Sequence, residues 1–128
     1  MVEKGLSCTV EVEVTAQNTA AAMGSGDLEV FATPAMIAAM ENAAMKAVAA
    51  ALPEGSTTVG SEMSASHIRP TAKGGRVTAT AVLAEIDGRK LTFTVGASDD
   101  DGIIGEGSHI RYIVDRERFM AKATKKER

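Results

Sequence analysis

The sequence predicts an α+β fold in which a curved antiparallel sheet of five strands wraps a long central helix. Three observations predict it. The stretch Val30 to Gly55, VFATPAMIAAMENAAMKAVAAALPEG, is apolar at almost every position and is closed by Pro53 and Gly55. Several other stretches alternate strictly between apolar and polar residues, the mark of strands with one buried face. Asp87-Gly88 then joins two of these stretches with a strong two-residue hairpin signal. A flat sheet covers only one side of an element, so a helix this apolar needs a curved one. One five-stranded sheet still leaves its far side open. Two-fold pairing of identical chains is the commonest way to close it, so the expected assembly is a homodimer.

Each element follows from local chemistry. Leu6 to Thr15 places Leu6, Cys8, Val10, Val12 and Val14 on one face and polar residues on the other. Gln17 to Met23 is a short Ala-rich turn or helix, and Gly24-Ser25-Gly26-Asp27 links it flexibly to the main helix. That helix is expected from about Pro34 to Leu52, with Thr33 as N-cap and Pro34 at the first helical position. Ser56 to Ile68 reads as a strand in which Gly60 marks a bulge or a close backbone approach. Arg69 to Gly75 turns, Arg76 to Ile86 and Arg89 to Ser98 form the hairpin, Asp99 to Gly102 turns again, and Ile103 to Val114 is the last strand. Asp115 to about Thr124 is expected to form a short amphipathic helix packing Phe119 and Met120. The three acids Asp99, Asp100 and Asp101 lack the spacing of a calcium loop.

At 128 residues the chain reads as one domain, residues 1–128, able to bury about two-thirds of its surface. The net charge of −3 gives no general attraction to nucleic acid or anionic membranes, and neither is an expected partner. The single cysteine, Cys8, excludes an intrachain disulfide and a cysteine-based zinc site, and its place in the alternation puts it in the core. No metal or separate cofactor is expected. Without a charged-then-apolar leader the expected location is cytoplasmic. From Arg111 to Arg128 there are seven basic and three acidic residues, so Arg116, Arg118 and Lys122 could meet an anionic partner.

Glu41 is the position that carries chemistry. A carboxylate on an Ala/Met helix surface is costly unless it is paired or hydrogen-bonded. Thr33 lies eight residues earlier, roughly 80° around the axis and about 12 Å along it, so both can face one cleft without touching. With His67, whose ordinary pKa lies near about 6.5, they supply a hydroxyl, an acid and a base. The helix N-terminus adds unpaired N–H groups suited to a developing oxyanion, and Gly60 could bring another backbone N–H close.

FAT opens the helix, ME stands in its third turn, VG is followed by SH in the next strand, and GSHIR lies in the last. From about Val30 to Lys122 this order resembles the hotdog-fold thioesterases, specifically the fluoroacetyl-CoA thioesterase branch. The resemblance implies a homodimeric enzyme hydrolysing acyl-CoA thioesters, with coenzyme A only as part of the substrate. It matches the family's catalytic set to Thr33, Glu41 and His67, and its site-lining glycine and arginine to Gly60 and Arg111. His67 would be the base, Glu41 its partner or water activator, and Thr33 the nucleophile or hydrogen-bond donor. The specialised enzyme has lid phenylalanines ahead of the helix where this chain has Gly24-Ser25-Gly26-Asp27. Phe31, next to the helix start, is the remaining aromatic and is taken with Gly60 and Arg111 as substrate-binding. A short or medium acyl-CoA of ordinary metabolism is therefore expected. A non-catalytic acyl-CoA or acyl-carrier binding module and a hotdog hydratase or dehydratase are the alternatives.

Overall fold

The computed structural model describes residues 1–125. In chain order it contains β1 (Ser7–Glu13), α1 (Ala20–Met23), α2 (Thr33–Ala49), β2 (Ser56–His67), β3 (Arg76–Asp87), β4 (Lys90–Asp99), β5 (Gly102–Asp115) and α3 (Arg116–Lys125). The strands form one sheet in the order β1-β3-β4-β5-β2, with every neighbouring pair antiparallel. This is the expected five-stranded sheet around one long helix. The core lies between them: Met36, Met40, Ala44 and Val48 of α2 are fully buried, as are Val77, Leu91, Phe93 and Ile104 of the sheet.

Four local expectations differ from the structure. Thr33 is not the cap of α2 but its first helical residue; Ala32 stands at the N-cap with no side-chain hydrogen bond. The Thr33 hydroxyl is therefore free for another partner. The helix ends at Ala49 rather than Leu52, because Pro53 disfavours the helical conformation of the residue before it and the chain turns early. Cys8 is half-buried, since β1 is an edge strand. Phe119 and Met120 are exposed, 41 % and 59 %, because α3 packs lightly against β5 and none of its residues is buried. No helix among the described residues is long and apolar enough to cross a membrane.

Two features place the site. Within the chain α2 is covered on one face only: Met36, Ala39, Met40, Ala43, Ala44 and Val48 are buried, whereas Ala38 is exposed and Ile37, Glu41 and Met45 are half-buried. On the sheet, the β2–β5 register shifts between Gly60 and Glu62, which leaves Ser61 as an extra residue in β2. Gly60 and His67 are seven residues apart, an odd number that would send them to opposite faces of a regular strand. The bulge resets the alternation, so both lie on the face that carries α2.

Candidate active site

His67 ends β2, and Thr33 opens α2 directly above it. Thr33 Oγ1 and His67 Nδ1 are 2.7 Å apart, a hydrogen bond between residues 34 positions distant in the chain. Their approach depends on Gly105, the β5 partner of His67. A Cβ at Gly105 would overlap the Ser66 carbonyl oxygen and lie 2.7 Å from Met36 Sδ, so the first turn of α2 rests directly on strand backbone. The other ring nitrogen, His67 Nε2, is shielded from water and has no hydrogen-bond partner. Burial holds the imidazole below its ordinary pKa of 6.5, outweighing the opposite pull of the Arg69 backbone. His67 is thus neutral near pH 7, the form that accepts a proton.

Glu41 belongs to a second group. Ala38, Glu41, Asn42 and Met45 of α2 face Thr58, Val59, Gly60 and Arg111 across a cleft of about 430 Å³. Arg111 is only 7 % exposed. Its Nε donates to Thr58 Oγ1 at 2.8 Å, its Nη2 to the Thr58 carbonyl at 2.9 Å, and its Nη1 to His109 Nε2 at 3.1 Å. Arg111 can only donate, so His109 Nε2 accepts, and His109 Nδ1–H donates to the Glu62 carbonyl at 2.8 Å. Burial holds both His109 and Arg111 below their ordinary values, with the Glu41 carboxylate opposing the shift in each. A Cβ at Gly60 would lie 3.1 Å from His109 Cε1 and 3.4 Å from both Arg111 Nη1 and Glu41 Oε2. Gly60 has no left-handed backbone requirement; a side chain is missing there because three functional groups converge on the space.

The structure therefore pairs Thr33 with His67, and Glu41 with Gly60 and Arg111. Along α2 the two groups stand about 12 Å apart. Phe31 lies in the core at 1 % exposure and does not line the Glu41 cleft. His109 and Thr58 are additions to the site, as the residues that hold the Arg111 guanidinium. Thr58 was findable, since it precedes Gly60 by two and so shares its strand face. Arg118, Lys122 and Lys125 surround a separate cleft of about 530 Å³ with Arg89 and Phe119 beside α3. Among the described residues no three His, Cys, Asp or Glu side chains are grouped to hold a metal ion.

The profile of the FlK family, described as fluoroacetyl-CoA-specific thioesterase, matches residues 14–117. The chain belongs to this family. A fluoroacetyl-CoA thioesterase of Streptantibioticus cattleyicolor is 39 % identical over 98 residues, 77 % of this chain and 70 % of that protein. A solved structure of the fluoroacetyl-CoA thioesterase FlK superposes with a TM-score of 0.91 at 32 % identity, covering 98 % of both chains. A threonine-to-serine variant of that enzyme, solved with acetyl-CoA, gives 0.92 at 31 % identity over 98 % of both chains. A thioesterase superfamily member from Thermus thermophilus gives 0.91 at 26 % identity, covering 99 % of this chain and 94 % of that one.

The histidines of this family member also set a pH dependence. Both folded-state values lie below 6.5. The unfolded chain then binds more protons in the window between them and 6.5, so their contribution is present above about pH 6.5 and is lost as pH falls through that window. Asp99, also depressed, adds a second loss below its ordinary 3.8. The urea midpoint is expected to fall between about pH 7 and about pH 5; a flat profile there would contradict the burial of the two rings.

Proposed function

We propose that the protein is an acyl-CoA thioesterase that hydrolyses a short or medium acyl-CoA to the free acid and CoA, working as a homodimer with no separate cofactor. The observation that carries this is the 2.7 Å contact between a hydroxyl freed from capping and a neutral imidazole at a helix N-terminus. Thr33 Oγ passes its proton to His67 Nδ1 as the oxygen attacks the thioester carbonyl carbon. The Thr33 and Ala35 N–H groups at the start of α2, unpaired within the helix, face the developing oxyanion; Pro34 has no N–H and that of Met36 donates to the Ala32 carbonyl. The C–S bond breaks and the imidazolium returns the proton to the CoA sulfur. Water then cleaves the Thr33 ester by the same route, with the Glu41 carboxylate orienting it.

Glu41 reaches this chemistry from the other protomer. β2 is an edge strand of twelve residues, with Ser61, Glu62, Ser64, Ala65 and Ser66 exposed, and a long unpaired edge is a template for another chain. Antiparallel pairing of two such edges about a two-fold axis near Met63–Ser64 sets Gly60 of one copy beside His67 of the other. That arrangement would also cover the half-exposed face of α2. Each dimer would then hold two sites, each with Thr33 and His67 from one protomer and Glu41, Gly60 and Arg111 from its partner. Ahead of α2 the segment Met23–Asp27 is exposed and has no aromatic side chain, which favours ordinary acyl groups over fluoroacetyl.

Two measurements test this. A panel of acyl-CoAs incubated with a thiol reagent is expected to show CoA release; tight binding without release would make the protein a binding module. Mixing the impaired Glu41→Gln and His67→Ala homodimers, with subunit exchange, is expected to raise activity above the mean of the two, to about a quarter of wild type, because half the dimers are mixed and each has one intact site. No recovery despite exchange would place both residues of a site in one protomer.

A further inference from the structure

Asp99, at the end of β4, stands outside both groups, and its side chain is 7 % exposed. Every bond it makes reaches toward the segment that leaves His67 or closes its own turn. Oδ1 accepts from Arg69 Nη2 at 2.8 Å and from the Asp101 N–H at 2.9 Å, and Oδ2 accepts from Thr71 Oγ1 at 2.7 Å. Arg69 Nη1 donates in addition to the Asp101 carbonyl at 3.2 Å. Arg69 and Thr71 are two and four residues beyond His67. The same short segment also grips the entry to α2. The Phe31 N–H donates to the Thr71 carbonyl at 2.8 Å, and Val30 bridges to Ala72. Phe31 in turn is two residues ahead of Thr33.

One largely buried carboxylate is therefore tied directly to the segment leaving His67, and through the Thr71 and Ala72 backbone of that segment to the entry of α2, the two stretches that must meet for Thr33 to touch His67. We propose that Asp99 is a positioning residue for the Thr33–His67 pair, acting through Arg69 and Thr71; the catalytic consequence rests on the thioesterase function proposed above. The Thr71 hydroxyl and the Arg69 guanidinium hold the Asp99 carboxyl below its ordinary range, as expected of a carboxylate that must stay ionised. Neither Asp99 nor Thr71 lies within reach of the Glu41 cleft. Their influence on turnover must pass through the geometry of the pair, where a displacement of about 1 Å costs up to about a hundredfold in rate.

The test uses two variants and two readouts on the full-length protein. Asp99→Ala removes the hub, and Thr71→Val removes one of its bonds at nearly constant volume, which keeps the test available if the first variant does not fold. Titration of the His67 imidazole by NMR needs no substrate, so it reads the positioning even if the thioesterase function fails. Loosening the segment admits water to Nε2, so both variants are expected to move the His67 titration upward toward 6.5 while leaving that of His109 in place. For acyl-CoA hydrolysis, kcat is expected to fall at least about tenfold in Asp99→Ala with KM little changed, and to fall no further when it is combined with His67→Ala. A folded variant with an unmoved His67 titration would overturn the proposal. So would a kcat loss that adds fully to that of His67→Ala.

Discussion

Substituting His67→Ala is expected to lower kcat for acyl-CoA hydrolysis by about two to four orders of magnitude, with a far smaller change in the thermal midpoint. The magnitude is that of removing a positioned general base. The substitution removes the acceptor at 2.7 Å from Thr33 Oγ1 and leaves the hydroxyl with no base to take its proton. Stability should change little, since His67 is only half-buried and the one hydrogen bond lost, at Nδ1, leaves an exposed Thr33 hydroxyl that water can satisfy. Activity of the wild-type enzyme should also fall on the acid side, with an apparent pKa below 6.5, because a protonated imidazole cannot accept. Glu41→Gln is expected to depress kcat at least about tenfold while keeping the acid limb, since the titrating group is retained. A His67→Ala enzyme within a few fold of wild type would remove the imidazole from the mechanism.

Gly105→Ala is expected to destabilise the fold by about 3 kcal/mol, at the upper end of what an added core methyl costs. Most such insertions meet a side chain that can turn away. Here the new Cβ meets the Ser66 carbonyl oxygen of β2 on one side and the Met36 sulfur on the other. Met36 is fully buried, and the carbonyl belongs to the strand backbone beside His67. Relief requires α2 to lift from β5 or β2 to move outward, and either motion separates Thr33 from His67. Activity in the folded fraction should therefore fall together with the urea midpoint. Gly96→Ala is the control, because its nearest neighbour would be the Gly105 carbonyl at 3.8 Å, an ordinary contact. Equal midpoints for the two variants would show that α2 does not rest on the Gly105 backbone.

Much of this was legible because burial patterns are written in the order of residues. Alternation in Leu6–Thr15 and in the Arg76–Ser98 hairpin gives strands with a known inward face, and Pro34 and Pro53 bracket the helix. The bulge at Gly60 was signalled by a glycine within a strand pattern. Thr33 and Glu41 stood out as hydroxyl and acid among the apolar residues of the helix stretch, and His67 as the imidazole ending the next strand. Misplacements fell where long-range contacts outvote local chemistry. Thr33 has the composition of a cap, yet its hydroxyl is claimed by a histidine 34 residues away. Phe119 and Met120 have amphipathic spacing, yet α3 packs lightly against β5 and leaves both exposed.

By itself the sequence determined the elements, their order and the helix at the centre, all of which depend on neighbours within a few positions, and it offered Thr33, Glu41 and His67 as candidates. Only the tertiary structure decided which of those side chains meet. Strand pairing and one extra residue at Ser61 turn Gly60 and His67 to the same face, and Gly105 lets α2 approach until Thr33 bonds His67 while Glu41 is left beside Arg111. The physical reason is that a side chain's direction in a strand alternates with every residue, so a single insertion reverses it, and no local pattern records which backbone lies across the gap.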